Sequence, residues 1–335
     1  FTGYGGAEFA LQKTEILYKC VGYSEIDKSA IKCYEQNFGK EIKNYGDCTK
    51  INSEELPDFD LLTGGFPCPD FSIAGNRKGF EGKQGKLFRE IIRIANVKKP
   101  KYMLLENVKG LTNHNNGKSF RVILGEIRKI GYDICYKVLN SKDYGIPQNR
   151  ERIWFVCKLG KWNLGEFQFP EKTKLKLTAK DLLENEVNKK YFLNEKELKR
   201  LIEKGLPLGF SNIDNQILQC FLKAQYKNMN GIYISCVGNY YNSNHQSGRI
   251  YKPLIAKTLQ SNSGGIAGNM GLYTINNNIR KLTPKECFRL MGFLNDEINI
   301  DDLKDAELYK LAGNGWDINV VSLIFKNMFL KNDTN

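Results

Sequence analysis

Four short stretches of this 335-residue chain carry side chains whose type and spacing could do chemistry. The first, Phe1-Thr-Gly3-Tyr-Gly5-Gly6, runs straight into the helix-like AEFALQK. Glycines in such a turn permit positive φ and let backbone N–H groups approach a ligand at a helix N-terminus. Glu25 ends the next apolar run, where a carboxylate can grip ribose hydroxyls, and Asp47 in Tyr-Gly-Asp-Cys ends a third. The three together predict an adenosine-containing cofactor, against the competing reading of three purely structural strand ends. The second stretch, GGFPCPDFS from Gly64 to Ser72, follows the strand-like FDLLT. Cys68 stands there between two prolines and reads as a presented thiol on a loop at a strand's carboxyl end, where open α/β sheets bind ligands. The third, LLENVKGL, ends a buried run on Glu106 and Asn107, and partial desolvation there predicts a carboxyl pKa raised toward neutrality. The fourth, YGIPQNRERIWFV, sets Arg150 and Arg152 two apart, on one face of a strand about to begin. Each of the last three, taken singly, is better read as a structural feature such as a capping acid or a surface ion pair.

The elements that must position these groups alternate strand-like and helix-like runs, the pattern of a parallel α/β sheet. Strands are predicted at 16–24, 59–63 and 102–105, and helices at 28–37, 87–97 and 120–130. Two closely joined strands, 132–139 and 152–156, predict an antiparallel end to the sheet. From about residue 162 the pattern changes. Residues 171–205 read as helical with extended pieces, and 226–279 as loop-rich, with many Asn, Gly, Ser and Tyr residues. Helical periodicity returns at 283–291 and 318–330, the last with an apolar face that needs burial. This predicts a catalytic, cofactor-binding domain over 1–160, a smaller recognition domain over 161–279, and a segment 280–335 returning to the first. A Gly-rich turn that opens at Phe1 also predicts a leading strand before it.

Composition narrows the classes. Lys and Arg number 50 against 37 Asp and Glu, a net charge of +13, so a polyanionic partner and a merely solvated basic surface both fit. There are nine cysteines and two histidines, and no Cys-x-x-Cys pair, so neither a metal site nor a disulfide framework is expected and a reducing cytoplasm is. No apolar run is long enough to span a bilayer, and the opening residues do not form a signal peptide.

Taken in order, these stretches resemble the DNA (cytosine-5) methyltransferases. The resemblance rests on Phe1-x-Gly3-x-Gly5-Gly6, Glu25, Asp47, Pro67-Cys68, Glu106-Asn107-Val108 and Gln148-x-Arg150-x-Arg152. It continues in RKLTPKECFRLMGF from Arg280, similar to the family's ninth motif, and in YKLAGNGW from Tyr309, similar to its tenth. Two departures stand out: Pro69 replaces the usual Gln after the cysteine, and Gly315-Trp316 replaces Ser-Val.

The resemblance implies a Rossmann-like fold with helices on both faces of the sheet, and methyl transfer from S-adenosylmethionine to C5 of a flipped-out cytosine in double-stranded DNA. It implies Cys68 as the nucleophile adding to C6, Glu106 on the N3 and amine edge, Arg152 on O2, and Arg150 with Ser72 at the nucleotide. Phe1, Gly3, Gly5, Gly6, Glu25, Ile26, Asp47, Cys48, Pro67, Leu87 and Asn314 would line the cofactor pocket. Ser72, Asn76, Arg77 and Lys78 would meet DNA from a closing loop, and the region around 226–265 would read bases. A cognate restriction endonuclease is an implied partner, and the enzyme is expected to act as a monomer on DNA. An RNA cytosine methyltransferase is the nearest rival, but it lacks a variable segment as large as 159–279. An inactive DNA-binding relative would not need Cys68, Glu106, Arg150 and Arg152 together.

Overall fold

Period-two alternation in two neighbouring strands decides the architecture. The computed structural model describes residues 2–66, 85–192 and 280–330, together with the backbone of short strands between 236 and 280. Two compact units result. The first comprises Phe1–Asn140, Glu151–Lys172 and Trp316–Asn335, and the second Ser141–Arg150 and Thr173–Gly315. The cut within the C-terminal region thus falls between Gly315 and Trp316, whereas the sequence boundaries kept 280–335 as one segment.

In the first unit, β1 (Leu61–Gly65), β2 (Tyr102–Val108), β5 (Glu151–Leu159) and β3 (Tyr132–Asn140) form a sheet in the order β1-β2-β5-β3. β1 and β2 run parallel, and β5 is antiparallel to both its neighbours, as the sequence predicts for the end of the sheet. Met103 and Leu105 of β2 face one way with Ile153, Phe155 and Cys157 of β5. They pack under α3 (Gly85–Lys98) and α4 (Lys118–Lys129). Phe88, Ile91, Ile92 and Ala95 on α3 recur at helical spacing and are all buried there, as are Ile123, Leu124 and Ile127 on α4. The alternate residues, Tyr102, Leu104, Val156 and Trp154, face the other way, where Tyr102 meets Phe329 and Trp154 meets Trp316 edge-on. The helix Ile318–Phe329, capped by Asp317, packs with α1 (Gly6–Lys13). Helices therefore cover both faces, and β2 and β5 are apolar on both sides for that reason. No helix among the described residues is long and apolar enough to cross a membrane.

Three expectations need correction. Residues 16–24 do not form a strand: a single bridge, Tyr23 to Asn44, joins them to the chain ahead, and Leu17 is fully solvent-facing. Its apolar run marked the segment as a strand, but among the described residues no ladder forms on it. Residues 171–192 hold only two short 3-10 turns, Ala179–Leu182 and Lys189–Tyr191, because Thr178, Asp181 and Asn188 satisfy the turn donors locally in place of a helix; residues 193–205 lie outside the described residues. Third, Asp305–Asn314 is a helix the sequence reading did not anticipate.

In the second unit, β6 (Cys236–Asn239), β7 (Arg249–Tyr251), β9 (Leu272–Ile275) and β10 (Asn278–Arg280) make a sheet in the order β10-β9-β7-β6. β4 (Gln148–Asn149) pairs with β8 (Ala256–Lys257). Arg280 leads into helix Pro284–Arg289 and is anchored by Glu286 through two bonds of 2.8 and 2.6 Å, both side chains 1% exposed. Glu286 also accepts from the Thr283 and Glu184 N–H groups, so one carboxylate holds a helix start, an arginine and a loop. Arg280→Met should strand that buried carboxylate and lower unfolding stability by about 3–5 kcal/mol. Denaturant melts of the variant against the native chain measure it; a loss below about 1 kcal/mol would contradict the anchoring role.

Candidate active site

The glycine turn is built for close approach. Gly3 (φ +61°) and Gly5 (φ +87°) adopt left-handed backbone, and Gly5 caps α1. A methyl at Gly5 would lie 2.3 Å from the Phe38 ring, whereas one at Gly3 would meet nothing within 4 Å. The space over Gly3 is open to a ligand. Its N–H donates to Glu25 Oε2 at 3.0 Å, while Glu25 Oε1 accepts from the Ile26 and Asp27 N–H groups at 2.9 and 3.0 Å. Asn44 holds the backbone of Glu25 from both sides. Burial pushes the Glu25 carboxyl up, while the Asp27, Gly3 and Ile26 N–H donors pull it down, and the balance lies below the usual value.

Beside it, Ile26 presents an apolar side chain, 71% exposed. The Ser24 hydroxyl donates to the Gly46 carbonyl at 2.7 Å, tying the end of that segment to the one that carries Asp47. Asp47 accepts from the N–H and hydroxyl of Thr49, which lower its pKa, and Cys48 behind it is buried. Leu87 is half-buried on α3.

The second cluster sits at the far end of the sheet's strands. Antiparallel pairing sets Glu106 opposite Trp154 and Val108 opposite Arg152, so Glu106 and Arg152 are diagonal neighbours on one face. Arg152 Nε lies 2.8 Å from Glu106 Oε1, with the side chains 15% and 10% exposed. Asn107, on the opposite face, is buried and donates to the Phe66 carbonyl at 3.1 Å, fixing the backbone that leads to Pro67-Cys68. Gly65 pairs with Glu106 across β1 and β2. Sequence reasoning assigned no role to Gly65, although a glycine at a strand end is itself a sign of close packing.

Arg150 and Arg152 do not share a strand face. β4 ends at Asn149 and β5 begins at Glu151, so the break falls at Arg150. Arg150 belongs to the second unit, where its buried guanidinium donates to the Gly313 and Gly315 carbonyls at 3.2 and 2.7 Å. Asn314 is exposed at the end of its helix in that same unit. Phe1, Pro67, Cys68, Ser72, Asn76, Arg77 and Lys78 lie outside the described residues.

A glycine turn answered by a carboxylate at the next segment's end, beside a sheet whose last strands turn antiparallel, marks a Rossmann-like methyltransferase. Comparison with known proteins narrows this. The sequence profile of the C-5 cytosine-specific DNA methylases matches residues 1–330. The chain is 38% identical over 329 residues to the type II methyltransferase M.HhaI of Haemophilus parahaemolyticus, covering 98% of this chain and 92% of the relative. It is 35% identical over 333 residues to M.Bsp6I of Bacillus sp. (strain RFL6), covering 98% and 96%. The fold is shared with the S. pombe Dnmt2 methyltransferase (TM-score 0.69, 19% identity, 99% and 97% coverage). It is shared also with the Entamoeba histolytica methyltransferase EhMeth (0.71, 17%, 99% and 97%). The chain belongs to the C-5 cytosine-specific DNA methylases, and it is an enzyme that methylates cytosine C5 in DNA.

The electrostatics of Glu25 are testable directly. Its carboxyl is held below the ordinary 4.5, so the stability it contributes is present above that pH and is lost as pH falls through the folded value. Glu25→Gln should be less stable than the native chain at pH 7, and the gap should close in the acid range. Parallel stability curves down to the acid limit would sink the assignment.

Proposed function

We propose that this chain transfers the methyl group of S-adenosylmethionine to a cytosine flipped out of double-stranded DNA, through a covalent bond between Cys68 and C6. The observation that carries the reading is the convergence of Gly65, Glu106 and Arg152 at one strand edge, directly before the Pro67-Cys68 segment. When bound, S-adenosylmethionine supplies an electrophilic methyl group on a sulfonium.

On the protein side, the open face of Gly3, the anchored Glu25 carboxylate and the exposed Ile26 suit an adenosine: backbone at the polar end, an acceptor for ribose hydroxyls, an apolar surface for the base. Phe1, Gly5, Gly6, Asp47, Cys48, Pro67, Leu87 and Asn314 are assigned to the same pocket on the motif pattern. Cys68 donates its thiolate to C6, which makes C5 nucleophilic enough to take the methyl group. Glu106 holds the N3 and amine edge, and its proton at N3 offsets the charge that develops as the thiolate adds. Arg152, with its planar fork, binds O2 and keeps Glu106 aimed. After transfer the C5 proton leaves as a base takes it, the C5–C6 double bond re-forms, and Cys68 departs as thiolate. Arg150, assigned to the nucleotide on the motif pattern, is engaged with the Gly313 and Gly315 carbonyls of its own unit.

Ser72, Asn76, Arg77 and Lys78 are assigned to DNA, and the region 161–279 to sequence recognition, where Asn, Gln and Arg side chains can read major-groove edges. Extraction of the target base costs a few kcal/mol of stacking. The net charge of +13 suits that polyanion. Action in the cytoplasm beside a cognate restriction endonuclease fits the type II relatives.

Cys68→Ser should abolish methyl transfer while sparing DNA binding, read as tritiated methyl incorporation beside gel-shift affinity. The native enzyme should also form a denaturation-resistant adduct with 5-fluorocytosine DNA, because fluorine at C5 blocks the final elimination. Persistent incorporation by the variant, or no adduct on DNA the enzyme methylates, would refute the covalent route.

A further inference from the structure

The two segments that carry Glu25 and Asp47 begin to pair as parallel strands and then stop. Tyr23 donates its N–H to the Lys43 carbonyl at 3.0 Å and accepts from the Tyr45 N–H at 2.7 Å, one complete step of a parallel bridge centred on Asn44. In a regular ladder the next step would give the Glu25 N–H to the Tyr45 carbonyl and the Asp47 N–H to the Glu25 carbonyl. Gly46 prevents it, because its left-handed backbone (φ +66°) turns the chain out of that register.

The side chain of Asn44 takes the place of the missing step. Its Oδ1 accepts from the Glu25 N–H at 3.2 Å and from the Gly46 N–H at 2.9 Å, and its Nδ2 donates to the Glu25 carbonyl at 3.1 Å. A planar amide offers a donor and an acceptor side by side, the same pair that a neighbouring strand would present. What it ties together is the adenosine side of the site. Glu25 receives the Gly3 N–H, and Asp47 directly follows Gly46. Among the described residues, a methyl built on Gly3 or on Gly46 would meet nothing within 4 Å, so open space lies over a glycine on each flank of this join. The Asp47 segment has a second anchor. Arg93 of α3 donates to the Cys48 carbonyl at 3.1 Å and to the Ser53 hydroxyl at 2.7 Å, which leaves Asn44 to set where Glu25 lies relative to that anchored segment.

We propose that Asn44 is a positioning residue for the cofactor: its amide sets the separation between the Glu25 and Asp47 carboxylates, and with it the fit of the nucleoside that spans them. The inference rests on the assignment of that pocket to S-adenosylmethionine. Asn44 acts through the backbone of Glu25 and Gly46. A hydrogen bond stretched beyond about 3.5 Å is lost, so drift of either segment forfeits a contact at one end of the nucleoside.

Calorimetry of S-adenosylhomocysteine on the whole chain, beside single-turnover methylation of unmethylated plasmid DNA, tests this. Asn44→Ala removes all three bonds. Asn44→Asp keeps the acceptor for both N–H groups and loses the donor to the Glu25 carbonyl, and so covers the case in which the first variant does not fold. Both should weaken S-adenosylhomocysteine roughly tenfold or more, the equivalent of about one net hydrogen bond. The KM for S-adenosylmethionine should rise in step, while the rate constant at saturating S-adenosylmethionine and the affinity for DNA stay close to native. A tie that only stabilises the fold would lower the melting midpoint and leave that KM unmoved. Native S-adenosylhomocysteine affinity in either folded variant would overturn the proposal, as would a loss shared equally by DNA affinity or a slower rate at saturating S-adenosylmethionine. Failure of the native enzyme to bind S-adenosylhomocysteine would instead overturn the reading of the pocket on which the proposal stands.

Discussion

The reversal of β5 is the constraint on which the rest depends. In an all-parallel sheet the first residues of one strand lie at the opposite edge from the last residues of its neighbour. Because β5 runs against β2, its start meets the end of β2, and a residue two places into one strand faces a residue near the finish of the other. Arg152 and Glu106 meet only for that reason, and they meet at the edge where open α/β sheets receive ligands. The pair is also partly desolvated, which strengthens each hydrogen bond and would make either group costly to leave alone. Trp154, two residues beyond Arg152, then occupies the same face and gives Trp316 a surface to rest on.

The cofactor half of the site follows a different logic. Backbone donors build it. Gly3 and Gly5 use backbone conformations that other residues rarely adopt, and the turn they make is held by backbone N–H groups converging on one carboxylate. Glu25 is therefore part of the scaffold as well as the group proposed to meet the ribose, and a substitution there cannot separate the two roles cleanly. Tyr4, between the glycines, is wholly buried and reaches Trp316, which joins this turn to the chain's last helix.

Much of this was legible in the residues. The helices Lys28–Phe38, α3 and α4 appear within a few positions of where the apolar pattern puts them, and the antiparallel pair was visible as two apolar runs joined by a short loop. The family and the reaction could be read too, from motifs whose order resembles that family's, and the structure places Glu25 against the Gly3 turn and Glu106 near the end of β2. What local sequence could not show is pairing. Residues 16–24 read as an apolar strand-like run yet form no ladder among the described residues, since a partner strand is a tertiary fact. Spacing of two implied one face for Arg150 and Arg152, and a strand break at Arg150 voids that rule. Gly65 and Trp316 lie far apart in sequence, and only the packed structure makes each one's identity depend on the other.

The chain passes between its two units at four points, the last of them between Gly315 and Trp316. During synthesis this imposes an order. The face of β2 and β5 that carries Glu106 and Arg152 stays uncovered until the helix Ile318–Phe329 leaves the ribosome, which at roughly 5–20 residues per second is many seconds after those strands are made. The nascent chain must therefore hold a broad apolar sheet face exposed while the whole second unit is being translated. Slower translation of the second unit should lengthen that exposure without changing the stability of the finished fold.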